Sequence, residues 1–452
     1  MPQNGSTIMF NPHQLTFATL LILLSQSMVT GQSVEVKGTT MGVISFRVLV
    51  VTDDHGDEKL ERLKNDVNDS LQRVNELMST YIEDSDISKF NRSESTDWQS
   101  VDLETATVVQ RSLEICEQTK GAFDPTVGPA VNAWNFGPGK KEQPEPPSAQ
   151  QVDELLKLVG YENLEARLEP PAIRKSIANV KLDLSAIAKG YAVDRVGKTL
   201  RALGYENFMV VVGGEVFTSG QRDSGGPWNV AIENPDAAEP SGRTGRDSKG
   251  SQRVVKLSDQ AIASSGDYRN FFEFEGQRYS HTIDPTTCKP VDHGMATASV
   301  IADDCMTADA LATAVMVMGH EKGAALCQRL GYPLITVRSG GSDDAKPFIE
   351  AITGDFPFSK GNMEGSDDEA DPSEQSRTDT SSSESILPVF AATFVIFCLV
   401  VCGMAVGAIF NNKPVTGSCG GLANMTNDDG ETVCGICSKP TVDCEEVDNV
   451  TA

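Results

Sequence analysis

Positive charge is scarce in this chain. Its 452 residues carry 38 Lys and Arg against 64 Asp and Glu, a net charge of −26. Gripping nucleic acid takes clustered Lys and Arg, so that class of partner is excluded. Histidine is rarer still, with five in all, so one that falls beside an acid stands out. Internal repeats are absent, which argues against a solenoid. No cysteine lies near the apolar run Leu15 to Val29, which excludes a lipoprotein anchor there. Paired C-x-x-C spacing of the zinc-ribbon kind is missing too, which argues against a standard zinc module.

What is present divides the chain into five parts. Residues 1–32 hold the apolar run, followed by small and polar residues from Thr30, and read as an export signal or an uncleaved N-terminal anchor. Residues 33–358 mix strand and helix patterns, of α/β or α+β type. Ile44 to Val51 reads as a strand. Leu60 to Met78 carries apolar residues at helical spacing. Val108 to Thr119 and Val152 to Val159 read as further helices. Phe208 to Val212 and Val216 to Thr218 read as strands around Gly213-Gly214-Glu215, and Met306 to Met318 as an Ala-rich helix. Pro240 to Gln252 is a polar insertion that reads as a surface loop. Residues 359–385 are acidic and Ser-rich, with eight acidic residues and one basic residue between Gly361 and Glu384. Such a stretch buries too little apolar surface to fold and reads as a disordered linker. Residues 386–410 contain no charged side chain, and 25 residues of helix are enough to cross a bilayer core of roughly 30 Å. Residues 411–452 form a Cys-rich tail.

Four stretches carry candidate chemistry. Asp183 to Asp194 reads as a strand end running into a helix. Val180, Leu182 and Leu184 alternate, Ala188, Ala192, Val196 and Leu200 lie four apart, and Ser185 is placed as the N-cap. A helix opening there, with Lys189 in its first turn, suits a phosphate. The turn Gly121 to Pro129 lets backbone approach a ligand closely. Ser280 to Pro285 sets His281 near Asp284, and a histidine can carry a proton near neutral pH. Asp309 and Thr313 share one face of an otherwise apolar helix. A carboxylate and a hydroxyl aimed the same way suit a hard cation such as Mg²⁺.

Eight segments in order then resemble the ApbE family of FAD:protein FMN transferases. They are Met41-Gly42, Met78 to Tyr81, Gly121 to Pro125, Asp183 to Asp194, Gly213 to Glu215, Ser265 to Arg269, His281 to Pro285 and Met306 to Ala310. The resemblance spans roughly Val34 to Phe358. It implies an α+β fold with a T-fold-like core, and Mg²⁺-dependent transfer of FMN from FAD to a Thr or Ser hydroxyl, releasing AMP. It implies that Met41, Tyr81, Ala122, Phe123, Asp124, Asp183, Lys189 and Ile283 line the FAD site. It also implies that the Ala186 carbonyl, Asp309 and Thr313 hold the metal. His281 is then the candidate base, Asp284 orients its loop, and Arg269 balances phosphate charge. Two positions depart from the family pattern. Val43 stands where Thr is frequent. Cys288 stands where Gly is usual, and a cysteine tolerates positive φ poorly.

The span and tail resemble NqrM, a membrane factor for maturation of the Na⁺-translocating NADH:quinone reductase, over about Pro388 to Glu446. Cys419, Cys434, Cys437 and Cys444 are expected to hold iron or zinc as thiolates, or to form disulfides in an oxidising space. The two halves together imply flavin-accepting subunits of that reductase as partners. They also imply an inner-membrane location, with the flavin domain periplasmic and the tail cytoplasmic. The rival reading is a protein that binds or hydrolyses FAD and carries a metal-binding assembly-factor tail.

Overall fold

The chain divides into two units, Met1–Asp367 and Asp368–Ala452. The computed structural model describes residues 31–138, 141–142, 144–232, 253–267, 270–339 and 348–358, all in the first unit. The run Leu15 to Val29, the insertion Pro240 to Gln252, Arg269, the acidic linker, the span Ile386 to Phe410 and the tail cysteines lie outside the described residues. Among the described residues no helix is long and apolar enough to cross a membrane.

Eight strands form the main sheet: β1 (Gln32–Thr40), β2 (Ile44–Thr52), β3 (Phe208–Val212), β4 (Glu215–Ser219), β5 (Ala261–Gly266), β6 (Met295–Ala302), β7 (Leu334–Ser339) and β8 (Phe348–Thr353). They lie side by side in chain order. Every neighbouring pair is antiparallel. The sheet is therefore a meander, and the fold is α+β, with helices hung on two of its connections. The β2–β3 connection carries α1 (Asp57–Met78), α2 (Leu103–Thr119) and α3 (Ala188–Ala202). The β6–β7 connection carries α4 (Cys305–Met318) and α5 (His320–Leu330).

Period-two alternation sorts the strand side chains onto two faces. Phe46, Val48, Val50, Phe208, Val210, Val212, Ala261, Ala263, Ala298 and Val300 join the core beneath the helices. The intervening Val51, Met209, Val216, Ile262 and Ile301 join a second core. That second core is closed by the hairpin Trp228–Ile232 and Arg253–Leu257. Each large apolar side chain so buried contributes roughly 1.5–3 kcal/mol. Where α4 crosses β5 and β6 the strand residues shrink to alanine, and Ala308, Ala310, Ala312 and Ala314 of α4 are fully buried. Small residues on both partners let the helix sink into the sheet, so a polar group on α4 is forced inside.

One local expectation is overturned. Val180 to Leu184 is not a strand, and α3 begins at Ala188 with no side-chain cap. The backbone of this strap is satisfied by other means than a ladder. Asn91 clamps Leu182 from both sides, its Nδ2 donating to the carbonyl at 2.8 Å and its Oδ1 accepting the N–H at 2.7 Å. The buried Lys175 ammonium donates to the carbonyls of Val180 (3.1 Å) and Phe90 (3.0 Å). Asp183 N–H donates to the Pro125 carbonyl at 2.7 Å. With those groups taken, no neighbouring strand is needed.

Candidate active site

A cleft of about 860 Å³ opens where the short β3–β4 hairpin turns back. The turn is Gly213-Gly214, with φ of 64° and 112°. Two successive positive φ values suit a tight two-residue hairpin turn, and glycine adopts them without strain. The turn sets Glu215 at the first position of β4, on the face toward the helices, with only 2% of its surface exposed.

Three charged side chains meet there. The Lys189 ammonium, from the first turn of α3, lies 3.0 Å from Glu215 Oε1. It also lies 3.0 and 3.2 Å from the two carboxylate oxygens of Asp309 on α4. Asp309 Oδ2 accepts the Gly190 N–H as well, at 3.0 Å. Glu215 Oε2 is buried and has no hydrogen-bond partner among the described residues. Burial disfavours the lysine charge, but the Asp309 and Glu215 carboxylates outweigh it and hold the ammonium well above its usual range. Burial pushes the Glu215 carboxyl up to about 7, with Asp309 adding to the rise and Lys189 opposing it.

This geometry also corrects the phosphate-cradle expectation for α3. Two of its opening N–H groups are taken, because Ala188 N–H donates to Leu184 O at 2.8 Å and Gly190 N–H to Asp309 at 3.0 Å. Ser185 does not cap the helix. Its N–H donates to Asp183 Oδ1 at 2.9 Å, and its hydroxyl donates to the same oxygen. That Asx-type turn bends the chain so that Asp183, Ser185, Ala186 and Lys189 all line the cleft.

Tyr81, Ala122, Phe123, Asp124, Ile283, His281 and Thr313 line the same cleft. Tyr81 is 72% exposed, with its ring open to a ligand. Asp124 is buried, and its carboxylate is committed to its own loop and to the Tyr161 backbone. It accepts Thr126 N–H (2.8 Å), Thr126 O–H (2.6 Å) and Tyr161 N–H (2.8 Å). Thr313 shares a 3.1 Å hydrogen bond with Ser265. Among the described residues Met41 and Asp284 do not line the cleft. Met41 packs against the main core at the β1–β2 turn, with φ of 47°. Asp284 Oδ1 accepts from Thr286 N–H at 2.8 Å and Thr286 O–H at 2.7 Å, which shapes the turn after His281. Cys288 in that turn does adopt a positive φ, 51°, although it is not glycine. Its side chain is fully buried, and its carbonyl accepts the Trp134 indole N–H at 2.7 Å.

The donors fit a hard divalent cation. Among the described residues no group of His, Cys, Asp and Glu converges in the manner of a transition-metal site. The Asp309 carboxylate, the Thr313 hydroxyl and Ala186, all lining the cleft, instead offer oxygen, which suits Mg²⁺ with its remaining shell taken from phosphate and water. Among the described residues two buried carboxyl groups share the one Lys189 ammonium, and Glu215 Oε2 has no partner.

Two residues that order the site had no role assigned from sequence. Glu215 stood out as the end of the Gly213 to Glu215 segment and as an acid at the head of an apolar strand. Asp194 accepts the N–H groups of Cys305 and Met306 and so pins α4 to α3. Its signals were its place at the end of the Asp183 to Asp194 segment and an acid beside the apolar positions Ala192, Val193 and Val196, which are buried.

Fold and cleft define an antiparallel α+β domain with an acidic, lysine-bridged pocket, and known proteins share its family and fold. Residues 38–335 match the ApbE family, and residues 408–449 match the family described as (Na+)-NQR maturation NqrM. The chain is 37% identical over 336 residues to the FAD:protein FMN transferase of Vibrio cholerae, covering 73% of this chain and 96% of that one. It is 34% identical over 308 residues to the Escherichia coli K12 protein of the same name, covering 68% and 84%. The solved flavin transferase ApbE from Vibrio cholerae superposes with a TM-score of 0.62 at 36% identity, covering 72% of this chain and 97% of that one. The apo form of the Pseudomonas stutzeri flavinyl transferase ApbE gives 0.63 at 33%, covering 73% and 96%. The chain belongs to the ApbE family, and an NqrM-type segment follows the ApbE domain in the same polypeptide.

Proposed function

We propose that this chain is an FAD:protein FMN transferase that moves FMN from FAD onto a Thr or Ser hydroxyl of a partner protein, with Mg²⁺ as the metal. The observation that carries this reading is the Lys189, Asp309 and Glu215 cluster at the wall of a cleft large enough for a dinucleotide. The acceptor oxygen forms a bond to the FMN phosphorus, and the bond from that phosphorus to the AMP oxygen breaks. Asp309, Thr313 and the Ala186 carbonyl hold the metal, which when bound neutralises charge on the diphosphate. His281, on the cleft wall, accepts the proton of the attacking hydroxyl. Asp284 shapes the turn that carries it. Tyr81 and Phe123 offer aromatic surface to the flavin or adenine.

The NqrM-type match over residues 408–449 supports a reading in which the acceptors are subunits of the Na⁺-translocating NADH:quinone reductase and the tail cysteines aid iron delivery to the same complex. The apolar stretch 386–410 anchors the chain in the inner membrane, flavin domain outside and thiolates inside. Tethering raises the local concentration of the enzyme at a membrane-bound target.

The test is incubation of the full chain with FAD, Mg²⁺ and a peptide carrying a Ser/Thr-Gly-Ala-Thr/Ser motif. The expected product is a covalently fluorescent peptide, absent with EDTA and with Asp309→Ala. AMP release with no peptide modification would make the chain an FAD hydrolase instead. Replacing Cys434 and Cys437 by Ser, with iron and flavin assayed separately on the target complex, separates the tail's role from that of the domain.

A further inference from the structure

Both oxygens of Asp309 are already taken. Oδ1 and Oδ2 face the Lys189 ammonium at 3.0 and 3.2 Å, and Oδ2 also accepts Gly190 N–H. A divalent cation arriving at this carboxylate meets a full positive charge beside it. At that range two cations repel strongly in a buried setting. Lys189 therefore has to loosen its hold on Asp309 without leaving the cleft, where its charge faces the ligand space.

Glu215 offers the place to go. Its Oε1 already touches the ammonium at 3.0 Å, and its Oε2 is buried with no partner among the described residues. Its backbone is held by the Gly213-Gly214 turn and the β3–β4 ladder, so the acceptor is fixed in position. We infer that Glu215 is a positioning residue for metal loading: Lys189 stands in for the metal on Asp309, then shifts onto both oxygens of Glu215 when the cation binds. No bond is made or broken in this step, and the net charge of the three side chains is unchanged. The inference rests on the metal role proposed above for Asp309.

Mn²⁺ binding to the purified full chain, read from the free-ion electron paramagnetic resonance signal without FAD, tests it. Glu215→Gln keeps the shape but removes the charged acceptor, so Lys189 stays on Asp309. Its Mn²⁺ dissociation constant is expected to rise about 10-fold, the loss of one charge-assisted hydrogen bond in the loaded state. Lys189→Met removes the competing charge, and its Mn²⁺ affinity is expected to equal or exceed wild type. In that background Glu215→Gln is expected to change affinity less than about two-fold, because no ammonium remains to be moved. Unchanged affinity in Glu215→Gln alone overturns the hand-over and leaves the metal reading standing. So does an equal loss in both backgrounds, which would mark Glu215 as a direct ligand or a fold residue. A wild-type chain that binds no Mn²⁺ overturns the metal reading itself, and the hand-over with it.

Discussion

The Asp194 carboxylate reaches from α3 to accept the backbone N–H groups of Cys305 and Met306 at the start of α4, each at 2.8 Å. Those are among the first-turn donors that a helix cannot satisfy from within. The bond pair fixes the helix that carries Asp309 and Thr313 against the helix that carries Lys189. Asp304 completes the cap by accepting Thr307 N–H at 2.7 Å.

Asp194→Ala is therefore expected to cost about 2–4 kcal/mol, since it strands two donors at a tightly packed helix start. Denaturant titration measures this. The pH dependence has a definite sign. Burial pushes the Asp194 carboxyl from its ordinary 3.8 up to about 7, against the pull of its two N–H partners. The folded state thus holds this proton more tightly than the unfolded chain. The contribution of this group is complete below the unfolded value and is lost as pH rises through about 7. Asp194→Asn should flatten that part of the stability profile while keeping one acceptor. An unchanged slope would show that the carboxyl does not titrate there.

Gly190→Ala should fail for a steric reason. A β-carbon at 190 would lie 2.3 Å from the Cys305 carbonyl oxygen and 2.8 Å from the Met306 Cα. Both are backbone, so neither can rotate away. On an exposed helix the same change gains roughly 1 kcal/mol, whereas forcing apart a packed pair costs about 1–3 kcal/mol or more. The overpacking wins, and the melting temperature is expected to fall. A rise would mean that α3 and α4 sit further apart than described.

Asp124→Asn tests whether the loop Gly121 to Gly128 is held rather than chemically engaged. All three groups on the carboxylate are donors, and an amide turns one acceptor oxygen into a further donor. The loop loosens, so KM for FAD is expected to rise about 10-fold with kcat changed little. Steady-state kinetics with FAD varied separates the two parameters, and a loss confined to kcat would place Asp124 in the chemistry.

Cys288→Gly sets two effects against each other. Glycine relieves a left-handed φ of 51°, worth roughly 1–2 kcal/mol. It also deletes a fully buried side chain from the cluster of Ala130, Trp134, Val152 and Ile283, at a cost of similar size. The net change is expected within about 1 kcal/mol by thermal unfolding. A large loss would mean that packing, not conformation, keeps the cysteine there.

Much of the secondary structure was legible because it follows periodicity. The helix read from Leu60 to Met78 spans Asp57–Met78, and the strand read at Phe208 to Val212 has those bounds. Gly213-Gly214 between two apolar runs announced the hairpin. The alternation from Val180 to Leu184 misled, because a satisfied strap and a strand look alike in sequence. What separates them is where Asn91, Lys175 and Pro125 lie, and no local pattern records that. Arg269 and the tail cysteines fall outside the described residues.

By itself the sequence determined the residue types available for the chemistry: an aspartate and a threonine four apart on an apolar helix, a lysine at a helix start, a histidine in a turn. It also determined the family, through eight short segments in order. Tertiary structure alone decided that Lys189, Glu215 and Asp309, drawn from two helices and a strand far apart in the chain, form one buried cluster. Helix and strand periods place a side chain on a face but say nothing of what the face meets. That was settled by the antiparallel meander, by the alanines that let α4 sink into it, and by the glycine that lets α3 lie against α4.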